Sequence, residues 1–247
     1  MSANENFIKQ IVAIRCKPDM TRKEFLNHHF QVHGTISDAP EDPDIKPQWF
    51  LWFRCLSPAA GSQIYSDHLF DGAFGGRPDA LNANQPWVGR DDITELYFRD
   101  WVHLKNVFTS EHVKTHVGPD GLNFSDIEAP LPIVAREKSL PLRTTRDLDD
   151  ENGQVPKEIG IQPEGMDLAA YFGGSSMPTY HLAYKIFLKD RASVTAVCKA
   201  QKAFYENTQD ELNQSESFVV VGIEGLIMDI GANTRFDPKR QPEMPDL

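Results

Sequence analysis

Three histidines fall close together, His28, His29 and His33, in the run Phe25-Leu-Asn-His28-His29-Phe30-Gln-Val32-His33-Gly34. Imidazole is the side chain that exchanges protons near neutral pH, so such a cluster suits general acid–base chemistry. Just upstream, Thr21-Arg22-Lys23-Glu24 has the form of a capping box, which predicts a helix from Arg22 to Val32. On that helix Phe25, Leu26, Phe30 and Val32 form one broad apolar face, with His29 and His33 near its middle and His28 at its edge. A lone histidine in such a place usually packs and donates to a carbonyl. Two on one face with a third beside them make a functional reading as good as a packing one.

Other chemistries find less support. His29 and His33 are four residues apart, a spacing that can hold a metal on one helical face. The glutamate of H-E-x-x-H and a nearby cysteine pair are both missing, so no metal and no cofactor are expected. His112 and His116 repeat the spacing before Gly118-Pro119 and read as exposed helix-end residues. Cys16, Cys55 and Cys198 are scattered and read as buried thiols. The chain has no G-x-S-x-G elbow, no Walker loop and no G-x-G-x-x-G after a strand, and Gly173-Gly174-Ser175-Ser176 is a turn. Over 247 residues, 25 Lys and Arg stand against 36 Asp and Glu, a net charge of −11 that disfavours nucleic acid and acidic membranes as partners. With no apolar run of membrane-spanning length and no signal-peptide pattern in MSANENFIKQ, a cytoplasmic protein is expected.

The elements that would position these residues can be read from periodicity. Residues 7–17 form a β-branched strand covered on both sides, and Gly34 to Lys46 an acidic loop. Trp49 to Leu56 fits either a buried strand or a short helix, and Gln63 to Phe70, with His68, alternates like a strand. Asp91 to Phe98 is the clearest strand, with Ile93, Glu95 and Tyr97 on one side and Thr94, Leu96 and Phe98 on the other. Asp100 caps a second helix, predicted to end before a Gly118-Pro119-Asp120-Gly121 turn, and Pro130 to Glu137 is the last strand of this half. The order β-α-β-β-α-β is ferredoxin-like, an α+β fold with a four-stranded sheet and two helices on one face. It places one domain at 1–140 and a linker at 141–165. Residues 166–247 form a smaller α+β half, a partial repeat with a strand at 179–188, a helix at 192–212, one or two strands at 217–230 and a loose tail from Asn233.

The histidine helix is similar to the F-x-x-H-W-x-x-V-H-[AG] helix of EthD-domain proteins, with His29 where an aromatic usually stands. Asp91-Asp-Ile-Thr-Glu95-Leu96-Tyr97-Phe98 resembles that family's D-G-[VI]-A-E-L-W-F strand with Asp92 in place of glycine, and Asp120-Gly-Leu-Asn123-Phe124 its D-x-x-N-F turn. Thr35 stands where proline often follows the His-Gly. The resemblance covers residues 7–140. It implies a dimeric α/β barrel, in which a second sheet, from another subunit of a homodimer or from residues 166–232, closes a pocket.

It also implies tailoring of a small aromatic or polyketide-derived substrate, with decarboxylation of a hydroxyaryl, anthraquinone-type acid first. Cyclisation or dehydration, cofactor-free oxygenation, and non-catalytic binding of a hydrophobic metabolite are the alternatives. Trp49, Trp52, Phe53, Tyr65, Trp87 and Tyr97 would line the pocket. Decarboxylation needs a proton delivered to a ring carbon, which makes His33 and His68 the acid/base candidates, with His28 or His29 positioning and His29 an alternative to His33. Asp67, Asp91 or Glu95 would fix the imidazole, although Glu95 has an equal structural reading as the partner of Arg15.

Overall fold

A computed structural model of the chain describes residues 7–55, 91–127, 130–136 and 222–242, together with Lys185 and scattered helical positions between 196 and 207. The expectations for Asp67, His68, Tyr65 and Trp87, for the strand at 179–188 and for the linker lie outside the described residues.

Strand β1 (Ile8–Ile14) leads to helix α1 (Arg22–Asn27), a π-helical turn (His28–His33) and helix α2 (Gly34–Asp38). Strands β2 (Trp49–Cys55) and β3 (Asp92–Phe98) follow. Helix α3 (Trp101–Thr109), a second π-helical turn (Val113–Val117) and helix α4 (Gly118–Phe124) then lead to β4 (Leu131–Arg136) and β5 (Gly222–Asp229). The strands make one antiparallel sheet in the order β4-β1-β3-β2-β5. The fold is thus the α+β, ferredoxin-like arrangement expected, with five strands rather than four. The added strand comes from the C-terminal half and pairs with the free edge of β2. Trp49 to Leu56, which fitted strand or helix, is the strand.

Both helical layers run further than the sequence suggests. Thr21 and Glu24 form the capping box. The helix does not stop at Val32, however, but continues through Gly34–Asp38, a stretch expected to be loop. Likewise Gly118-Pro119-Asp120-Gly121 is the start of α4 and not a turn. Each π-helical turn ends on a glycine whose N–H reaches five residues back, Gly34 to His29 and Gly118 to Val113. Pro119 directly follows the glycine whose N–H closes the second widened turn. The widened turn also moves Val32 off the apolar face, leaving it 42% exposed.

Two apolar clusters fill the space between helices and sheet. Phe25, Leu26, Phe30, Phe50, Trp52, Phe124, Ile227 and Met228 form one, and Ile8, Phe98, Leu104, Val107, Val113 and Val134 the other, with Leu96 touching both. Gly34 lets the first helical layer approach β5 closely, since a Cβ there would stand 3.1 Å from Ile227 and from Phe236. The tail expected to be loose is held over residues 234–242. Arg235 and the Phe236 N–H bind Asp38, Arg240 donates to the carbonyls of Leu226 and Ile227, and Gln31 pairs with Gln241. Cys16 lies beyond the end of β1, in an isolated bridge to Ser125.

Candidate active site

His28, His29 and His33 all belong to the first π-helical turn, and α4 supplies what faces them. The junction is fixed by backbone bonds, Lys17 N–H to Phe124 O at 3.0 Å and Asp126 N–H to Arg15 O at 2.9 Å, which tie the end of α4 to the end of β1. Asp120 therefore sits opposite the histidines. His33 donates from Nδ1 to Asp120 Oδ2 at 2.9 Å, and His28 from Nε2 to Asp120 Oδ1, also at 2.9 Å. Asn123 adds a third donor to Oδ1 at 3.2 Å. The Phe124 ring lies between the three imidazoles, with centroids 5.3 Å from His28, 4.6 Å from His29 and 5.0 Å from His33.

A second imidazole–carboxylate pair lies deeper. His29 donates from Nδ1 to Asp92 Oδ2 at 2.5 Å, and Trp52 Nε1 donates to the same oxygen at 3.0 Å. Thr94 Oγ1 stands 3.4 Å from His29 Nε2. The two pairs meet edge to face, with the His29 and His33 rings 5.3 Å apart.

The histidines differ in access. The His29 side chain is 1% exposed and the His33 side chain 14%, so His33 can meet a small molecule and His29 cannot without rearrangement. Burial, reinforced by the neighbouring His29 and His28, moves His33 below the ordinary imidazole range despite the opposing pull of Asp120. Asp120 moves down as well: burial alone would raise it, but hydrogen bonds from His33, His28 and Asn123 outweigh that and hold it well below the carboxylate range. A neutral His33 whose Nδ1–H is committed to an anionic Asp120 leaves the Nε2 lone pair as the proton acceptor.

The remaining candidates separate from this cluster. Trp52 is fully buried on the helix side and orients Asp92, so it is a support for the histidines and not a free pocket wall. Trp49, Glu95 and Tyr97 lie on the opposite face of the sheet, where Trp49 and Tyr97 are register partners with rings 4.7 Å apart. Phe53 pairs with Ile93 through the β2 backbone, and its side chain lies outside the described residues. Glu95 neither fixes an imidazole nor meets Arg15. It pairs with Lys9 at 3.1 Å and Lys185 at 3.0 Å, while Arg15 binds Asp126. Asp91 is likewise away from the imidazoles, held by Arg22 at 3.0 Å and accepting from the Cys16 N–H at 2.7 Å. Burial and Asp91 push the Cys16 thiol up to about 12, which makes it inert.

Sequence reasoning missed both carboxylates that serve the histidines. Asp92 stood in the sequence as a departure from a glycine, and Asp120 inside a segment read as a turn. His112 is bound rather than free, donating from Nε2 to Ile36 O at 2.8 Å and joining the second helical layer to α2. Among the described residues no three of His, Cys, Asp and Glu are grouped to hold a metal ion, and no helix is long and apolar enough to cross a membrane.

An antiparallel α+β sheet with a histidine–aspartate cluster under its helical layer defines the class of protein. Within it, residues 17–128 match the EthD domain, so this segment is similar to that family. No curated protein matches the chain at a significant level.

Proposed function

We propose that the protein is a tailoring enzyme that acts on a small aromatic or polyketide-derived acid by histidine acid–base chemistry, first of all decarboxylation of a hydroxyaryl acid. The observation that supports this most is the partly exposed His33 hydrogen-bonded through Nδ1 to Asp120.

In this reading His33 Nε2 takes the proton of a ring hydroxyl, and the resulting phenolate raises electron density at the carbon bearing the carboxylate. The imidazolium returns the proton to that carbon. The C–C bond then breaks, its electron pair rejoins the ring, CO₂ leaves, and the phenolate product takes a proton from water. One site thus serves as base and then acid, a task suited to a group that titrates close to or below neutrality. Asp120 stabilises the imidazolium during its lifetime. A homodimer remains part of the proposal, as does a barrel closed by the chain's own C-terminal half.

The test is turnover of a panel of hydroxyaryl and anthraquinone carboxylic acids, with and without oxygen, following CO₂ release and O₂ uptake together. CO₂ release without O₂ uptake is expected, with kcat falling by about a hundredfold or more in His33→Gln. Uptake of O₂ in step with turnover would replace this reading with a cofactor-free oxygenase. Tight binding without turnover would replace it with a carrier.

A further inference from the structure

His28 and His33 stand five residues apart, yet both bind the same carboxylate, one at Asp120 Oδ1 and the other at Oδ2. On an α-helix residues so spaced point about 140° apart, and one of the two would face away. The π-helical turn removes that difference. Gly34 N–H reaches back to His29 O, five residues instead of four, and residues 28 and 33 fall on one side. The shared carboxylate therefore depends on the widened turn, and such turns are rare enough that the contacts around this one matter.

The other residues of the turn meet one segment, residues 234–242. Phe30 lies between Trp52 and Phe236, with ring centroids 5.1 Å and 5.7 Å away. Gln31 Nε2 donates to Pro238 O at 3.1 Å and pairs with Gln241. Phe236 also lies against Gly34, the glycine that closes the turn.

This strap is pinned to an irregularity of the sheet. Leu226 faces Leu51 and Met228 faces Phe50, which leaves Ile227 between them without a partner on β2, a bulge. Arg240 donates from Nη2 to Ile227 O at 2.8 Å and from Nε to Leu226 O at 3.2 Å. The fully buried Ile227 side chain packs on Gly34 as well. Bulge, strap and turn meet in one place, and Arg240 fixes the strap there.

We propose that residues 234–242 are the positioning element of the histidine site, with Arg240 and Gln31 as positioning residues. They act through the turn and not on the imidazoles, keeping the five-residue spacing that lets His28 and His33 share Asp120. This role is independent of which substrate His33 serves.

The experiment records imidazole nitrogen and proton NMR spectra of the full chain labelled with ¹⁵N-histidine at about pH 8, where His33 is neutral. The His33 signals are those absent from His33→Gln. In the wild type His33 should be the Nδ1–H tautomer held by Asp120. Arg240→Met and Gln31→Met should move it towards the Nε2–H tautomer, and its Nδ1 proton should exchange with water about tenfold faster or more. Arg240→Lys, which keeps a donor at the bulge, should retain the wild-type signature. So should Glu95→Gln, which disturbs the ion pairs of the opposite face and lowers stability without touching the strap. An unchanged His33 in folded Arg240→Met and Gln31→Met would overturn the proposal and leave the strap a support for stability alone. A wild-type Nε2–H tautomer, or the same change in Glu95→Gln, would overturn it too. If Arg240→Met does not fold, Gln31→Met, a change at one half-exposed side chain, decides.

Discussion

The two faces of the sheet bury charge in different ways. Under the helices the buried carboxylates Asp92 and Asp120 are matched to imidazole, while Asp38 at the end of α2 is matched to Lys46 and Arg235. On the opposite face the network is Lys9, Glu95, Lys185 and Glu224, with Tyr97 donating to Glu95 at 3.4 Å and the Lys9 ammonium 4.9 Å from the Tyr97 ring centroid. Imidazole exchanges protons near neutrality, whereas ammonium and carboxylate side chains ordinarily do so far from it. One arrangement can therefore carry a proton during a reaction, and the other can mainly hold elements in place. Lys185 reaches Glu95 on β3 and Glu224 on β5, fastening a point of the C-terminal half to the sheet.

The sharpest way to break this comparison is to neutralise one carboxylate on each face. Asp120→Asn removes the anion that fixes two histidines and stabilises the imidazolium. It should lower kcat by about a hundredfold with little change in KM. Glu95→Gln removes the carboxylate between two ammonium groups and should leave kcat within about twofold. Its effect should fall on stability, with a loss of about 3–5 kcal/mol in urea unfolding, because buried charge is left poorly compensated. If Glu95→Gln abolished turnover in protein that remained folded, the division of labour between the faces would be wrong.

A smaller effect separates the faces by pH. His33 is held below the ordinary imidazole value of 6.5, chiefly by burial. A group depressed in the folded state adds stability that is complete above its unfolded pKa and is lost as pH falls towards its folded one. Stability should therefore decline as the solution is acidified below about pH 6.5, and His33→Gln should remove that limb. Lys185 goes the other way. Burial lowers it, but Glu95 and Glu224 outweigh burial and hold it above its ordinary 10.5. Its contribution is complete below that value and is lost as pH rises through the folded pKa. Lys185→Met should be less stable than the wild type at neutral pH and should lack this alkaline limb, while the acid limb is unchanged.

How much of this the sequence disclosed follows the same division. The sheet was legible because strand periodicity is local: Asp92–Phe98 alternates along its length, and Thr21 with Glu24 announces the start of α1. The histidine cluster was visible for the same reason, lying within one helical turn and a half. Its carboxylates were not, because Asp120 lies 87 positions after His33 and Asp92 lies 63 positions after His29. A π-helical turn leaves no simple mark in a sequence read with the ordinary helical period, which is why Val32 was misplaced and α2 missed. Trp49, Trp52 and Tyr97 looked alike as pocket walls. Their sides are set by strand parity, and for the two tryptophans that could be assigned only once Trp49 to Cys55 was known to be a strand.

The finest comparison uses those two tryptophans, three residues apart on β2 and therefore on opposite faces. Trp52 Nε1 donates to the buried Asp92, whereas Trp49 Nε1 is buried without an acceptor. Substitution by phenylalanine trims a similar volume in both cases and keeps a ring to pack. In Trp52→Phe the carboxylate that holds His29 also loses a donor, an added cost of about 1–3 kcal/mol. Trp49→Phe removes only an unpaired N–H and retains a ring against Tyr97, so its stability should stay within about 1 kcal/mol of the wild type. Urea midpoints for the two variants, with unchanged m-values, measure the difference. A Trp49→Phe loss equal to that of Trp52→Phe would show that ring packing, and not the hydrogen bond to Asp92, anchors the histidine side of the sheet.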